Sequence, residues 1–258
     1  MQLSLSTDSA TKYKSGSQIA RIITEEWVEE NMFCPRCGNT RLNHFKNNLP
    51  VADFFCEKCN HEYKLKSKRG SIESKVADGA YSTMIERITS DKNPDFFFMN
   101  YSIQEMAIRD FFVMPKIFFT PSIIEKRRPL SSNARRAGWV GCNIVLSEVP
   151  KQGRIAIIQN SKIINKAVVI KKFQDAEKLF VGDIEKRGWL FDVLLCVNQI
   201  HNNEFSLNEI YAFEKILHDK HPSNNSILPK IRQQLQILRD KGLIEFLGNG
   251  RYKKIFDK

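Results

Sequence analysis

Apolar positions 19, 22, 23 and 27 within residues 17–28 fall on one face of a helix, with Ser17 placed to cap it. The same spacing returns at 81, 84, 85 and 88 and predicts a second helix over 78–88, ended before Asn93-Pro94. Elsewhere the pattern shortens. Residues 95–100, 111–114 and 154–158 are aromatic and aliphatic runs of the length of buried strands, and Tyr63-Lys64-Leu65-Lys66-Ser67-Lys68 also reads as a strand. Residues 120–151 carry little regular pattern and are expected to be loop-rich surface.

From about residue 184 the pattern becomes mainly helical. One helix is expected over 189–200 and a second over 207–217 with Ser206 as its cap. A third starts near Ser226, places Ile231, Leu235 and Leu238 on one side, and is closed by Gly242. Strands over 243–247 and 251–255 then flank the turn Gly248-Asn249-Gly250. Three helices and a hairpin make a winged helix. The expected architecture is therefore an α/β domain over residues 1–183 followed by a winged-helix domain over 184–258.

Charge narrows the partner. The 258 residues include 40 Lys and Arg against 29 Asp and Glu, a net charge of +11, so the field favours a polyanion: nucleic acid first, an anionic membrane surface second. Against the membrane, the longest apolar run, residues 193–197, is far short of the roughly 20 residues of a spanning helix. The N-terminus lacks the pattern of a secretory signal, which predicts a cytoplasmic protein. Lys126-Arg127-Arg128, Arg135-Arg136 and Lys151 would make the 120–151 region a contributor to DNA contact.

In a reducing compartment, cysteines in tight pairs point to metal. Cys34/Cys37 and Cys56/Cys59 form two Cys-x-x-Cys turns with 18 residues between them (38–55), inside the range for a tetrahedral zinc site. Four thiolates leave no open coordination position, so the zinc would be structural. His61 is close enough in sequence to replace one ligand but reads as a surface histidine. Cys142 and Cys196 have no neighbouring partner and read as small buried hydrophobes.

Between the cysteine pairs lies Pro50-Val51-Ala52-Asp53, followed by the strand carrying Lys66. A PD-(D/E)xK nuclease needs one carboxylate on one strand and, on its neighbour, a second carboxylate two residues before a lysine. The acids hold Mg²⁺ and the lysine prepares the attacking water. Positions 64 and 66 share a strand face, so the second acid belongs at 64. This chain has Lys64 there.

Ordered blocks across nearly the whole chain resemble the DpnI-like, Dam-replacing family of restriction endonucleases, which cut DNA when the adenine of GATC is N6-methylated. They are Asn43-His44-Phe45, Pro50-Val51-Ala52-Asp53-Phe54, Leu65-Lys66-Ser67-Lys68, Asp78-Gly79-Ala80-Tyr81, Ala134-Arg135-Arg136-Ala137-Gly138-Trp139, and the run from Ile231 to Asp240. The resemblance implies a bacterial enzyme with a PD-(D/E)xK core carrying the zinc knuckle, joined to a winged helix, both parts reading methylated double-stranded DNA. By position, Asp53 and the Leu65 carbonyl would bind Mg²⁺ and Lys66 would be the catalytic lysine. The family's glutamate falls on Lys64, a change of two charge units at a divalent-ion site. At about 4 Å such a contact costs several kcal/mol even at an effective dielectric of about 20, so Mg²⁺ binding and cleavage should suffer. Glu62, or Glu25, Glu26 or Glu29 on the first helix, are the substitutes within conceivable reach.

For DNA reading, Lys230, Arg232, Gln233 and Gln236 lie off the apolar face of the third winged-domain helix and suit base edges. Arg251, Lys253 and Lys254 on the wing would contact phosphates. Trp139, in a basic glycine-flanked loop with Arg135 and Arg136, is the candidate surface for the N6-methyl group, with core packing as its alternative. Nothing in the pattern requires more than a monomer. Two other readings stay open: a non-catalytic, transcription-factor-like winged-helix binder, and a zinc-ribbon RNA-binding module. Only the nuclease reading uses Asp53, Lys66 and the winged helix together.

Overall fold

The computed structural model describes residues 1–45, 52–72, 74–90 and 92–255. In chain order, helix α1 (Gly16–Asn31) precedes strands β1 (Asn43–His44), β2 (Phe54–Phe55), β3 (Glu62–Arg69) and β4 (Lys75–Ala80). Helix α2 (Tyr81–Thr89) follows, then β5 (Asp95–Ser102), β6 (Ala107–Met114), β7 (Ile124–Lys126), β8 (Gly141–Val145), β9 (Ile155–Gln159) and β10 (Lys162–Ile163). The remainder is α3 (Lys166–Glu177), α4 (Ile184–Gln199), β11 (Glu204–Ser206), α5 (Leu207–Tyr211), α6 (Glu214–Lys220), α7 (Ile227–Asp240), β12 (Ile244–Gly248) and β13 (Arg251–Lys254).

A seven-stranded sheet in the order β1-β2-β3-β5-β6-β9-β10 forms the centre. β5 is buried along its whole length, as its unbroken apolar run requires, and pairs parallel with β3 and antiparallel with β6. Aromatic rings from alternate positions fill both faces. Phe97 stacks on Tyr63 at 4.8 Å and leans on Phe111 at 5.1 Å, which meets Trp27 of α1 edge-on at 5.5 Å. On the other face Phe98 stacks on Phe112 at 5.0 Å. Each fully buried ring contributes on the order of 1.5–3 kcal/mol, so this cluster holds β3 rigidly in place.

Several boundaries differ from the sequence reading. α1 has Ser15 rather than Ser17 at its N-cap position, without a capping bond from the side chain, and runs on to Asn31. Residues 78–80, expected to open a helix, end a strand, and α2 begins at Tyr81, the first apolar position of its face. Gly79 weakens any helix there, and β4 gains a partner in β8, with Asp78 opposite Cys142. β4, β8 and β7 make a small second sheet inside the region expected to be loops. The helix expected over 207–217 is two: Phe213 donates to Ile210, three residues back, and this tight turn separates α5 from α6. The capping box is formed, Ser206 with Glu209. α3 and β11 had no counterpart in the reading.

The C-terminal helices and the sheet β11-β13-β12 form the expected winged arrangement. α4 is buried on nearly every side because it sits between the two parts: Phe191 stacks on Phe118 at 4.5 Å, and the helix packs against α7. Cys142 and Cys196 are buried as expected, and burial pushes both thiols up, to about 11 and about 12.

Candidate nuclease site and nucleic-acid interface

The four knuckle cysteines come together. Their sulfur atoms all lie within 4.8 Å of one another, with Cys34 to Cys59 and Cys37 to Cys56 each at 3.6 Å. Each Cys-x-x-Cys turn is closed by the backbone, Gly38 donating to Cys34 and Asn60 to Cys56. Gly38 and Asn60 both have positive φ, 74° and 55°, the conformation glycine and asparagine adopt most readily. Burial pushes the Cys34 thiol up, whereas at Cys56 burial is outweighed by donors from Cys59, Lys58 and the neighbouring thiols, bringing it to about 7. The Arg36 side chain reaches Cys59 while pairing with Glu177 at 2.8 Å, a single cation beside four thiols, and the donor chemistry fits a structural zinc ion. The Tyr63 hydroxyl sits 3.1 Å from Cys34 Sγ, tying the knuckle to β3. His61 is not the surface residue expected: its Nε2 is 3.0 Å from the buried carboxylate of Asp95, which explains why it turns away from the sulfurs.

Asp53 lies directly before β2, held across the sheet by its N–H donating to the Tyr63 carbonyl at 2.9 Å. Both its carboxylate oxygens are engaged by β3. Lys64 Nζ donates to Oδ1 at 2.8 Å and the Leu65 N–H donates to Oδ2 at 2.7 Å. Pro50 and Val51 of the same segment lie outside the described residues.

Lys66 extends from the same face of β3 and pairs with Asp78, whose Oδ1 also accepts the Gly79 N–H. Asp53, Lys64, Lys66 and Asp78 thus form two adjacent ion pairs of zero net charge. Lys64 and Asp78 both line a cleft of about 170 Å³ that also includes Arg87 and Asn93. From α1, Thr24 bonds to Ser67 of β3 at 3.2 Å and so aims the next residue, Glu25, at this region. Glu25 contacts His44 Nε2 at 3.2 Å and Arg21 at 3.3 Å. Burial raises its pKa, and the charge of Asp53 raises it further. Glu26 turns instead to Ser9, while Glu29 and Glu62 are exposed. Among the described residues, the four cysteines are the only group of three or more His, Cys, Asp or Glu side chains that converge closely enough to hold an ion.

A family model described as the Dam-replacing family matches residues 1–181, and one described as the Dam-replacing HTH domain matches residues 185–254. The chain belongs to the Dam-replacing family. Membership supports a restriction-enzyme-like, DNA-binding role, with the C-terminal helices as its HTH domain.

In this Dam-replacing protein the helix expected from the sequence to read bases corresponds to α7, inside the matched HTH domain. Ile231, Leu235 and Leu238 are buried on its inner side, together with Gln234, while Arg232, Gln233 and Gln236 are exposed. Lys230 is half-buried over the Trp189 ring at 5.8 Å, and Arg232 bonds to the Tyr211 hydroxyl. On the wing, Arg251 is exposed and pairs with Glu204 at 2.8 Å, and Lys253 is half-buried. Lys254 does not face solvent as expected: it is 3 % exposed and its ammonium donates to the Ile200 carbonyl, so it anchors β13 to the end of α4. In the other part of the chain, Arg135 and Arg136 are exposed on the loop before β8, and Trp139 is half-buried. Arg136 lies over the indole at 4.6 Å, and a Cβ on Gly141 would meet that ring at 2.8 Å. The indole therefore lies close against the Gly141 backbone at the loop base, half-buried instead of filling the core.

Two features escaped the sequence reading. Asp78 was placed on a helix, although an acid before glycine at a strand end is a legible signal. The second is the junction of the two parts, where buried Asp192 receives Lys220 at 2.6 Å and His221 at 2.9 Å, and His221 stacks on Trp189 at 3.8 Å. These side chains are 28 and 29 positions apart and left no local pattern. A cleft of about 800 Å³ opens beside them, lined in part by Lys186, Asn224 and Lys230.

Proposed function

We propose that this protein recognises N6-methyladenine in double-stranded GATC sites and holds them without efficient cleavage. It would act as a monomer in the bacterial cytoplasm, through a nuclease-like domain over residues 1–183 and a winged-helix domain over 184–258. Family membership supports the DNA-binding half of this reading. The observation that carries the other half is the Lys64–Asp53 pair.

A hard divalent cation needs free, converging carboxylate oxygens. Both oxygens of Asp53 are occupied by protein donors, Asp78 is occupied by Lys66 and Gly79, and the glutamate implied at position 64 is a lysine. The residues as arranged do not fit a magnesium ion, so Asp53, Lys66 and the Leu65 carbonyl keep the geometry of a nuclease core without its cation. The same pair favours the non-catalytic, methyl-DNA-binding form of the function over an active endonuclease. Zinc, by contrast, fits the knuckle, where it would hold β2 and β3 in register and supply no chemistry.

Sequence reading would come from Arg232, Gln233 and Gln236 of α7, with Lys230 beside Trp189, and from Trp139 with Arg135 and Arg136. Arg251 and Lys253 would contact phosphates. An added methyl gains on the order of 1 kcal/mol per apolar contact, so strong methyl dependence needs several such surfaces. The decisive experiment compares the parent chain with Lys64→Glu on fully methylated GATC plasmid in Mg²⁺. The expected result is retained binding and negligible cutting by the parent, with cutting gained by the variant. Rapid cleavage by the parent would overturn the reading. Trp139→Ala should bind DNA still but lose selectivity for the methylated duplex in a competition assay; unchanged selectivity removes Trp139 from the methyl-reading surface.

A further inference from the structure

We infer that the Lys64 ammonium takes the electrostatic place of a divalent cation, so that this protein engages DNA at its nuclease-like face without any metal ion there. The inference rests on the proposed DNA-holding function and deepens it.

Carboxylates at a phosphate-handling surface repel the phosphodiester backbone unless something positive stands between them. In a two-carboxylate site a bound cation does this, and DNA affinity becomes linked to that cation. Here the positive group is covalently part of β3. Lys64 Nζ is 2.8 Å from Asp53 Oδ1, and its side chain remains 25 % exposed, on the face it shares with Lys66. Lys66 cancels Asp78, Lys64 cancels Asp53, and the site is neutral before DNA arrives. With glutamate at position 64 the same four positions would carry two net negative charges.

The ordering of the groups makes the lysine more than a chance surface pair. The Leu65 N–H fixes the second oxygen of Asp53 at 2.7 Å, and Asp53 is itself fixed by Tyr63 across the sheet. The ammonium is therefore aimed by β3 at one defined oxygen, with Thr24 and Ser67 locking the adjacent helix to the same strand.

The test measures affinity for a methylated GATC duplex in buffer passed over chelating resin, with no free chelator so that the cysteine knuckle stays loaded, and again after adding Ca²⁺. The parent should bind equally in both, within about threefold. Lys64→Glu should bind about tenfold more weakly without calcium and recover with it, because two like charges then face the phosphates. Lys64→Arg, which keeps the charge, should behave as the parent. The inference is overturned if the parent needs calcium, if Lys64→Glu binds equally in both buffers, or if Lys64→Arg acquires the calcium requirement. Zinc content and far-ultraviolet circular dichroism check that Lys64→Glu is folded; if it is not, the neutral Lys64→Gln must bind more weakly than the parent without calcium for the inference to stand. A parent with no preference for methylated over unmethylated duplex would fail the proposed function instead, and the calcium comparison can be read on either duplex.

Discussion

Cys56 and Asp53 are three positions apart, and each belongs to a cluster of groups that turn negative on ionisation. In the knuckle, four sulfurs converge on one another, and the Arg36 guanidinium that reaches Cys59 is one cation, shared with Glu177, against four thiols. At the neighbouring site every carboxylate already has a protein donor: Asp53 has Lys64 and the Leu65 N–H, and Asp78 has Lys66 and the Gly79 N–H. The first arrangement is incomplete without an external ion, because converging thiolates repel one another. The second is complete as it stands. A cation site is thus defined less by the presence of ligand-type residues than by whether their charge is left for something outside the chain to balance.

The largest effect should come from the incomplete site. Cys56→Ser, or removal of the metal by a strong chelator, is expected to abolish stoichiometric zinc and lower the thermal midpoint by more than about 10 °C, since structural zinc binding is worth on the order of 10 kcal/mol in small domains. A midpoint unchanged by chelation would erase the contrast between the two clusters.

Next is the self-balanced pair. Asp53→Ala leaves Lys64 beside Lys66 with no acid opposite it, and should cost about 1–3 kcal/mol in urea denaturation. Combining Asp53→Ala with Lys64→Met should cost less than the sum of the two single changes, because the second removes the charge that the first left uncompensated. Additive costs would mean that the pair is not the unit described here.

The smallest effect concerns Glu25, the acid that α1 brings toward Asp53. Burial, reinforced by Asp53, raises its folded pKa above the ordinary carboxylate value of 4.5, which places the folded state ahead in proton binding between the two values. Its ionisation therefore weakens folding: the contribution of this one group is fully present below pH 4.5 and is lost as pH rises through the folded pKa. Glu25→Gln should be slightly more stable than the parent at pH 7, with the difference shrinking toward pH 4. A difference that grows toward acid pH would show that the His44 and Arg21 contacts outweigh burial.

Much of this was legible in the chain. The Cys-x-x-Cys turns announced the knuckle, the unbroken run from Phe96 to Met99 announced a central strand, and Gly248-Asn249-Gly250 announced the wing. Position 64 was also legible, because strand periodicity alone puts residues 64 and 66 on one face. Lys254 was misplaced because a basic residue at a strand end looks solvated in sequence, whereas the nearby Ile200 carbonyl gives it a buried acceptor. His61 was misjudged for the same reason, with Asp95 as its hidden partner. Asp78 was drawn into a helix because periodicity at Tyr81, Met84 and Ile88 extends backward without a clear stop.

Sequence by itself determined the central strands, the wing hairpin, the four metal-type ligands and the reversal of charge at position 64, since these depend on residue identity and on short, fixed spacings. Only the tertiary structure decided that Lys64 turns onto Asp53, that Asp78 closes the second pair and that Glu25 approaches without joining a metal-type cluster. Those outcomes depend on which side chains from distant segments meet at a few ångströms, and electrostatic partnership at that range is set by packing, which no local pattern records.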